Sequence, residues 1–187
     1  MTRPVILQIS RNVFASLLLL VLAGCIQEDQ AAEIPNPIAM TEEALGHYCA
    51  MNILEHKGPK AQIHLAGLQH PIWFSQIRDA IAFTRMPEET QEAVAVYVND
   101  MGKTGNWDFP GDDTWIPIED AHFVIGSTMI GGMGAPEAIP FGTEQEASAF
   151  VAKNGGNVVR LDGIPDAYVL GPVDLTAQIP TTTGTVQ

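Results

Sequence analysis

The sequence predicts an α+β protein built from two small ββαβ halves in tandem, and three observations carry that expectation. Phe74, Ala80, Ala82 and Phe83 recur as Phe141, Ala147, Ala149 and Phe150, every pair 67 residues apart. Both stretches follow a proline and open on residues suited to start a helix. Runs rich in β-branched and aromatic residues flank both in the same order.

Taken along the chain, Tyr48 to Ile53 and Ala61 to Ala66 are expected as the first two strands, turned at Lys57-Gly58-Pro59. Ser75 is expected to cap a helix that places Ile77, Ala80, Ile81 and Thr84 on one face. Ala93 to Val98 alternates into a strand and completes a first half spanning 45–106. A polar, proline- and glycine-broken connector follows at 107–121, carrying Trp107, Pro110, Gly111, Asp112, Asp113 and Trp115. In the second half, 122–171, His122 to Ile125 and Glu137 to Phe141 are the strands. Thr143-Glu144-Gln145-Glu146 is a capping box ahead of Ala147, Phe150 and Val151. Asn157 to Leu161 is the closing strand. Two such halves bury their apolar faces in a shared core.

The termini belong to another kind of chain. Arg3 and Arg11 precede an apolar run from Val13 to Leu22. About ten residues fall short of the roughly 20 that a spanning helix requires, and they suit the apolar segment of a secretory signal at 1–24. Leu22-Ala23-Gly24-Cys25 resembles the lipobox of bacterial lipoproteins. That implies cleavage before Cys25, lipidation of its sulfur and anchoring by several acyl chains, since one alone binds only marginally. Ile26 and Gln27 follow, with no aspartate after the cysteine. By resemblance to known sorting rules this implies the periplasmic side of the outer membrane rather than the inner membrane. Residues 25–44 are expected as a flexible tether and 172–187 as a disordered tail.

Cleavage would leave 163 of the 187 residues and remove Arg3 and Arg11, so that seven basic side chains face 22 acidic ones. Such a surface repels phosphate backbones and argues against nucleic acid as a partner. It attracts metal cations and basic protein surfaces instead.

The chemistry concentrates in His47-Tyr48-Cys49-Ala50-Met51. With Cys25 lipidated, Cys49 has no intramolecular partner in an oxidising compartment. On a strand, Cys49 and Met51 would share a face about 7 Å apart, with His47 on the same side. Thiolate and thioether are soft ligands that select copper(I) over magnesium or calcium. Gly131-Gly132-Met133-Gly134 adds a methionine with little local packing to join, and its glycines allow close backbone approach and let Met133 swing towards a site. Met101, at the end of a strand, is a fourth sulfur candidate. His56 and His122 are the choices for a harder nitrogen donor. With His64 and His70 they are scattered, without zinc-type pairing, although the imidazoles would permit a second metal such as zinc. No Gly-Lys-Ser/Thr follows the glycine loop, the acids of the connector lack calcium-loop spacing, and no catalytic set is marked.

The residues Tyr48 to Lys60, Trp73-Phe74-Ser75-Gln76 with Arg78-Asp79-Ala80, Val98 to Gly102 and Gly131 to Glu137 resemble the NosL family, accessory lipoproteins of nitrous oxide reductase. The resemblance implies a copper chaperone, not an enzyme. It would supply copper(I) to the reductase's catalytic copper-sulfide centre together with an ABC-type transporter complex. It implies ligands at Cys49 and Met51, then Met133, then Met101. The family usually reads Cys-Gly-Met, and Ala50 stands at the middle position with its side chain expected to point away. The family fold of two ββαβ halves, also recognisable in organomercurial lyase, agrees with the inferred repeat. Two alternatives stay open at this point: a thiol enzyme of the organomercurial-lyase kind, which needs two cysteines where the mature chain offers one, and a metal-free structural lipoprotein.

Overall fold

The computed structural model describes residues 34–173. The expected signal sequence and Cys25 lie outside the described residues, as does the expected tail beyond Val173. The first sheet is formed by β1 (Ala61–Leu65), β2 (Ile72–Phe74), β3 (Ala93–Asn99) and β4 (Trp115–Pro117), in the order β2-β1-β3-β4. Helix α1 (Ile77–Arg85) lies between β2 and β3 in the chain. The second sheet is β5 (His122–Ile125), β6 (Ile139–Phe141) and β7 (Asn157–Val159), in the order β6-β5-β7, with α2 (Glu144–Asn154) between β6 and β7. All pairings are antiparallel.

Both halves therefore run strand, strand, helix, strand, with the first strand in the middle of its sheet. Their frames superpose in sequence: Ala61 pairs with Phe74 and His122 with Phe141, and those phenylalanines are the repeat pair. The α+β class and the repeated ββαβ order hold, but the strands of the first half sit one element later than expected. Tyr48 to Ile53 is not a strand. It forms a turn and a 3-10 turn at Ile53–Glu55, while Ile72–Phe74, unanticipated as a strand, is the second member. The connector also contributes structure, since Trp115–Pro117 adds β4 to the edge of β3. A short helix α3 (Asp166–Leu170) follows the second sheet.

The main core lies around α1. Ile77, Ala80, Ile81 and Phe83 pack with Ile63, Phe74, Val96 and Val98 of the first sheet, and with Phe123, Ala138, Ile164 and Val169 of the second half. Arginines strap the end of the chain over this helix. Arg78 donates to the Gly171 carbonyl at 2.6 Å, and Arg85 to the carbonyls of Ile164 and Leu161 at 2.7 and 2.8 Å. Donors spread over so rigid a fork suit arginine where several carbonyls must be met at once.

The expected tether at 25–44 does not hold over residues 35–44. From Pro35 onward the chain is bound down: Tyr97 donates to the Pro35 carbonyl, and the Gln62 amide pairs with both the N–H and the C=O of Ile38. The Met40 N–H reaches Asp112 and Ala44 is buried. Composition marks this segment as polar, but a buried glutamine with both amide ends to satisfy gives it a partner.

Candidate metal centre

Cys49 sits in a closed loop. Leu45 bridges Asn52, the Gly46 N–H donates to the Met51 carbonyl, and the Ala50 N–H donates back to the Gly46 carbonyl, each at 2.8 Å. Closing so tight a loop places Ala50 at φ +54°, the sole non-glycine residue at positive φ among the described residues. That conformation turns the backbone between Cys49 and Met51, so the two do not share a strand face. Gly46 makes room for the thiol: a Cβ there would lie 2.5 Å from Cys49 Sγ. The His47 N–H donates to the Trp73 carbonyl at 2.7 Å and fixes the loop to the outer edge of β2.

What faces the thiol is His56. Asn52 caps the 3-10 turn by accepting from the Leu54 N–H, and the turn delivers His56 at its end. His56 Nε2 is 4.0 Å from Cys49 Sγ, while its Nδ1 is 3.1 Å from the Gly132 carbonyl. Since a carbonyl can only accept, Nδ1 carries the proton and Nε2 directs its lone pair towards the sulfur. A ring nitrogen donating to backbone while the other stays free is the usual way a metal-binding imidazole is oriented.

Gly132 is close-packed for that purpose. A Cβ there would come within 2.8 Å of His56 Cβ, the Lys57 carbonyl and the Ser75 carbonyl. Neither Gly131 nor Gly132 has a positive φ. The double glycine therefore serves close approach; the freedom to swing Met133 is not what its geometry requires. The loop closes through an Ile130–Pro136 bridge and a Gly131-to-Ala135 hydrogen bond.

Met133 then lines a cavity of about 140 Å³ with Gly46, His47, Tyr48, Cys49, Phe74, Ser75 and Asp79. Ser75, expected to cap α1, instead stands with its Oγ 3.8 Å from Cys49 Sγ, and Gln76 takes the cap position without a side-chain cap bond. His47 packs edge-on against Phe83 and beside Phe74 and Tyr48. Burial, with the charges of Glu89 and Asp79, raises the Tyr48 hydroxyl to about 12. Burial also raises the Asp79 carboxyl above its ordinary value. The cavity thus combines sulfur, imidazole and hydroxyl groups in surroundings that resist added negative charge.

Of the expected metal residues, Cys49 and Met133 line this cavity, and His56 approaches Cys49 from outside its lining. Met51 does not line the cavity and is 42% exposed beside it. Met101 is in the core of the second half with Val124, Ile139, Phe141 and Ala147, and its methyl-capped chain fills space there. His122 opens β5, where Arg160 donates to its Nδ1 at 3.3 Å, a cationic neighbour unsuited to a metal site. Among the described residues no three His, Cys, Asp or Glu side chains converge, so zinc has no ready-made set of its own. Ser75, Asp79 and Tyr48 were not expected as lining residues. Their signal lies in β2 running into α1 beneath the Cys49 loop, a contact distant in sequence.

Comparison with known proteins gives a consistent picture. The family described as NosL matches residues 37–169. The copper-binding lipoprotein NosL of Achromobacter cycloclastes is 53% identical over 165 residues, 88% of this chain and 84% of the relative. That of Stutzerimonas stutzeri is 31% identical over 159 residues, 84% and 81% of the two chains. The crystal structure of the copper chaperone NosL from Shewanella denitrificans aligns with a TM-score of 0.65 at 31% identity, covering 71% of this chain and 97% of that one.

Proposed function

The chain belongs to the NosL family, and from that premise we propose that it is a membrane-anchored copper(I) carrier with no turnover of its own. The observation that carries the proposal is the pairing of Cys49 Sγ with an imidazole lone pair held in place from behind by the Gly132 carbonyl. Copper(I) arriving as cargo would take the Cys49 thiolate, His56 Nε2 and the Met133 thioether, a soft set with one harder member. Met51, exposed at the side, is placed to join from a different rotamer or to pass the ion outward. The relatives' names support copper as the cargo.

The anchor would be lipidated Cys25, on the periplasmic side of the outer membrane, with the acidic surface facing the compartment. The acceptor would be nitrous oxide reductase, working with its ABC-type transporter complex, and the copper would go to the catalytic copper-sulfide centre. A carrier of this kind needs a cavity open to a partner, and the 40% exposure of Met133 leaves one ligand reachable from outside.

Titration of the full chain with copper(I) against a chromophoric chelator tests the proposal. One tight equivalent is expected, lost in Cys49→Ala and weakened about 10- to 100-fold in His56→Ala. Undiminished copper(I) binding by Cys49→Ala would overturn it.

A further inference from the structure

Behind the glycine loop lie two buried polar side chains that do not touch the cavity, Gln76 and Glu137. We propose that they are the positioning pair of the metal site, forming together a bracket against Gly131 so that Gly132 meets His56 and Met133 faces Cys49. The inference rests on the copper reading of that site.

The bracket is tight. A Cβ on Gly131 would lie 2.5 Å from Glu137 Oε2 and 2.7 Å from Gln76 Oε1, so both side chains crowd the space a side chain would take beside the loop backbone. Gln76 Oε1 accepts from the Met133 N–H at 3.3 Å, and its Nε2 donates to Asp79 Oδ2 at 2.8 Å, which fixes the amide's orientation. Gln76 thus ties the ligand-bearing loop to the first turn of α1.

Glu137 packs against the same glycine. Its Oε1 accepts from the N–H groups of Arg78 and Ala138 at 3.0 and 2.9 Å, and its carbonyl accepts from the Tyr168 hydroxyl. Its Oε2, fully buried, has no hydrogen-bond partner and abuts the loop. An unpartnered buried oxygen is costly unless something is gained by its position. Burial raises this carboxyl to about 8, which leaves it uncharged at neutral pH.

A double-mutant cycle on the full chain tests the pair. Gln76→Leu is expected to weaken copper(I) about 10- to 100-fold against a chromophoric chelator. X-ray absorption should show one sulfur neighbour fewer. Combined with Met133→Ala, it should add less than its own single loss, because it acts in part through that residue. In the metal-free protein, amide exchange at Met133 should accelerate. Wild-type affinity in Gln76→Leu, or losses that multiply in the double variant, would overturn the inference.

Should Gln76→Leu fail to fold, Glu137→Gln and Glu137→Leu carry the test. Gln keeps an acceptor for both backbone donors and should bind as the wild type, with Leu about 10-fold weaker or more. Equal affinity in the two overturns the pairing. If the unsubstituted chain takes up no copper(I), the copper reading fails by itself, and Met133 amide exchange in the metal-free variants still decides whether the bracket holds the loop.

Discussion

Helices α1 and α2 start 67 residues apart and occupy the same place in their ββαβ units, yet their surroundings differ sharply. Helix α1 buries Ile77, Arg78, Ala80, Ile81, Ala82 and Phe83, whereas α2 buries Ala147 alone. Their first turns are also satisfied differently. Thr143 caps α2 locally, accepting from the Glu146 N–H while its hydroxyl donates to Glu146 at 2.7 Å. Helix α1 has no local cap and relies on Glu137, which arrives from the other half. The first half returns the arrangement in part: Asp100, at the end of β3, accepts from the Gly142 N–H just ahead of α2. The self-sufficient helix sits at the periphery. The dependent one stands at the centre, where Asp79 of its first turn borders the Cys49 cavity.

Glycine substitutions should break that contrast most strongly. Gly132→Ala drives a Cβ into two backbone carbonyls, for which overpacking costs about 1–3 kcal/mol, and copper(I) affinity should collapse with it. Gly142→Ala, just ahead of α2, drives a Cβ into the Asp100 carboxyl. It should cost similar stability in urea unfolding while leaving copper(I) affinity unchanged. A loss of affinity in Gly142→Ala would show that the start of α2 supports the Cys49 cavity as well.

The remote cap should also be visible in pH dependence. Between the ordinary carboxylate value of 4.5 and about 8, native Glu137 retains a proton that the unfolded chain has released. Stability therefore falls as pH rises through that window, and Glu137→Gln should flatten the slope in urea titrations. The groups around it are Arg78 and Asp79 on α1, Tyr168 on α3, and Lys60. Lys60, lowered to about 8 chiefly by burial, acts in the opposite sense and above that range, where stability recovers as pH rises towards 10.5.

The local cap predicts less. Thr143→Ala should cost about 1 kcal/mol with no pH signature and no effect on copper(I). The smallest change is a gain. Ala50→Gly relieves an L-residue held at φ +54°, a conformation costing about 1–2 kcal/mol, partly offset by the greater freedom of glycine when unfolded. A rise in melting temperature of a few degrees would mark it.

These comparisons show what was legible in the chain. The Thr143 box, the β5 and β3 runs and the 67-residue repeat are local patterns and appear where expected. The Cys49–Met51 strand failed because nothing in Cys-Ala-Met advertises a left-handed residue; a glycine at position 50 would have been the signal. Ser75 looked like a cap because it precedes a helix by the right spacing, but the acceptor comes from a carboxylate 59 residues away. Met101 and Met133 are alike in sequence, each followed by glycine. The two glycines before Met133 hint at the difference, and the fold makes it plain, one within the apolar second core and the other lining a cavity with a thiol.

The clamp at the beginning of the described chain has a mechanical meaning. The Gln62 amide meets the N–H and C=O of Ile38 as a neighbouring strand would, and the Tyr97 hydroxyl holds Pro35. Tension applied from the N-terminal side is therefore taken up by β1 and β3, the central strands of the first sheet, before it reaches the Cys49 loop. The Cys49 loop lies beyond both attachments along the chain.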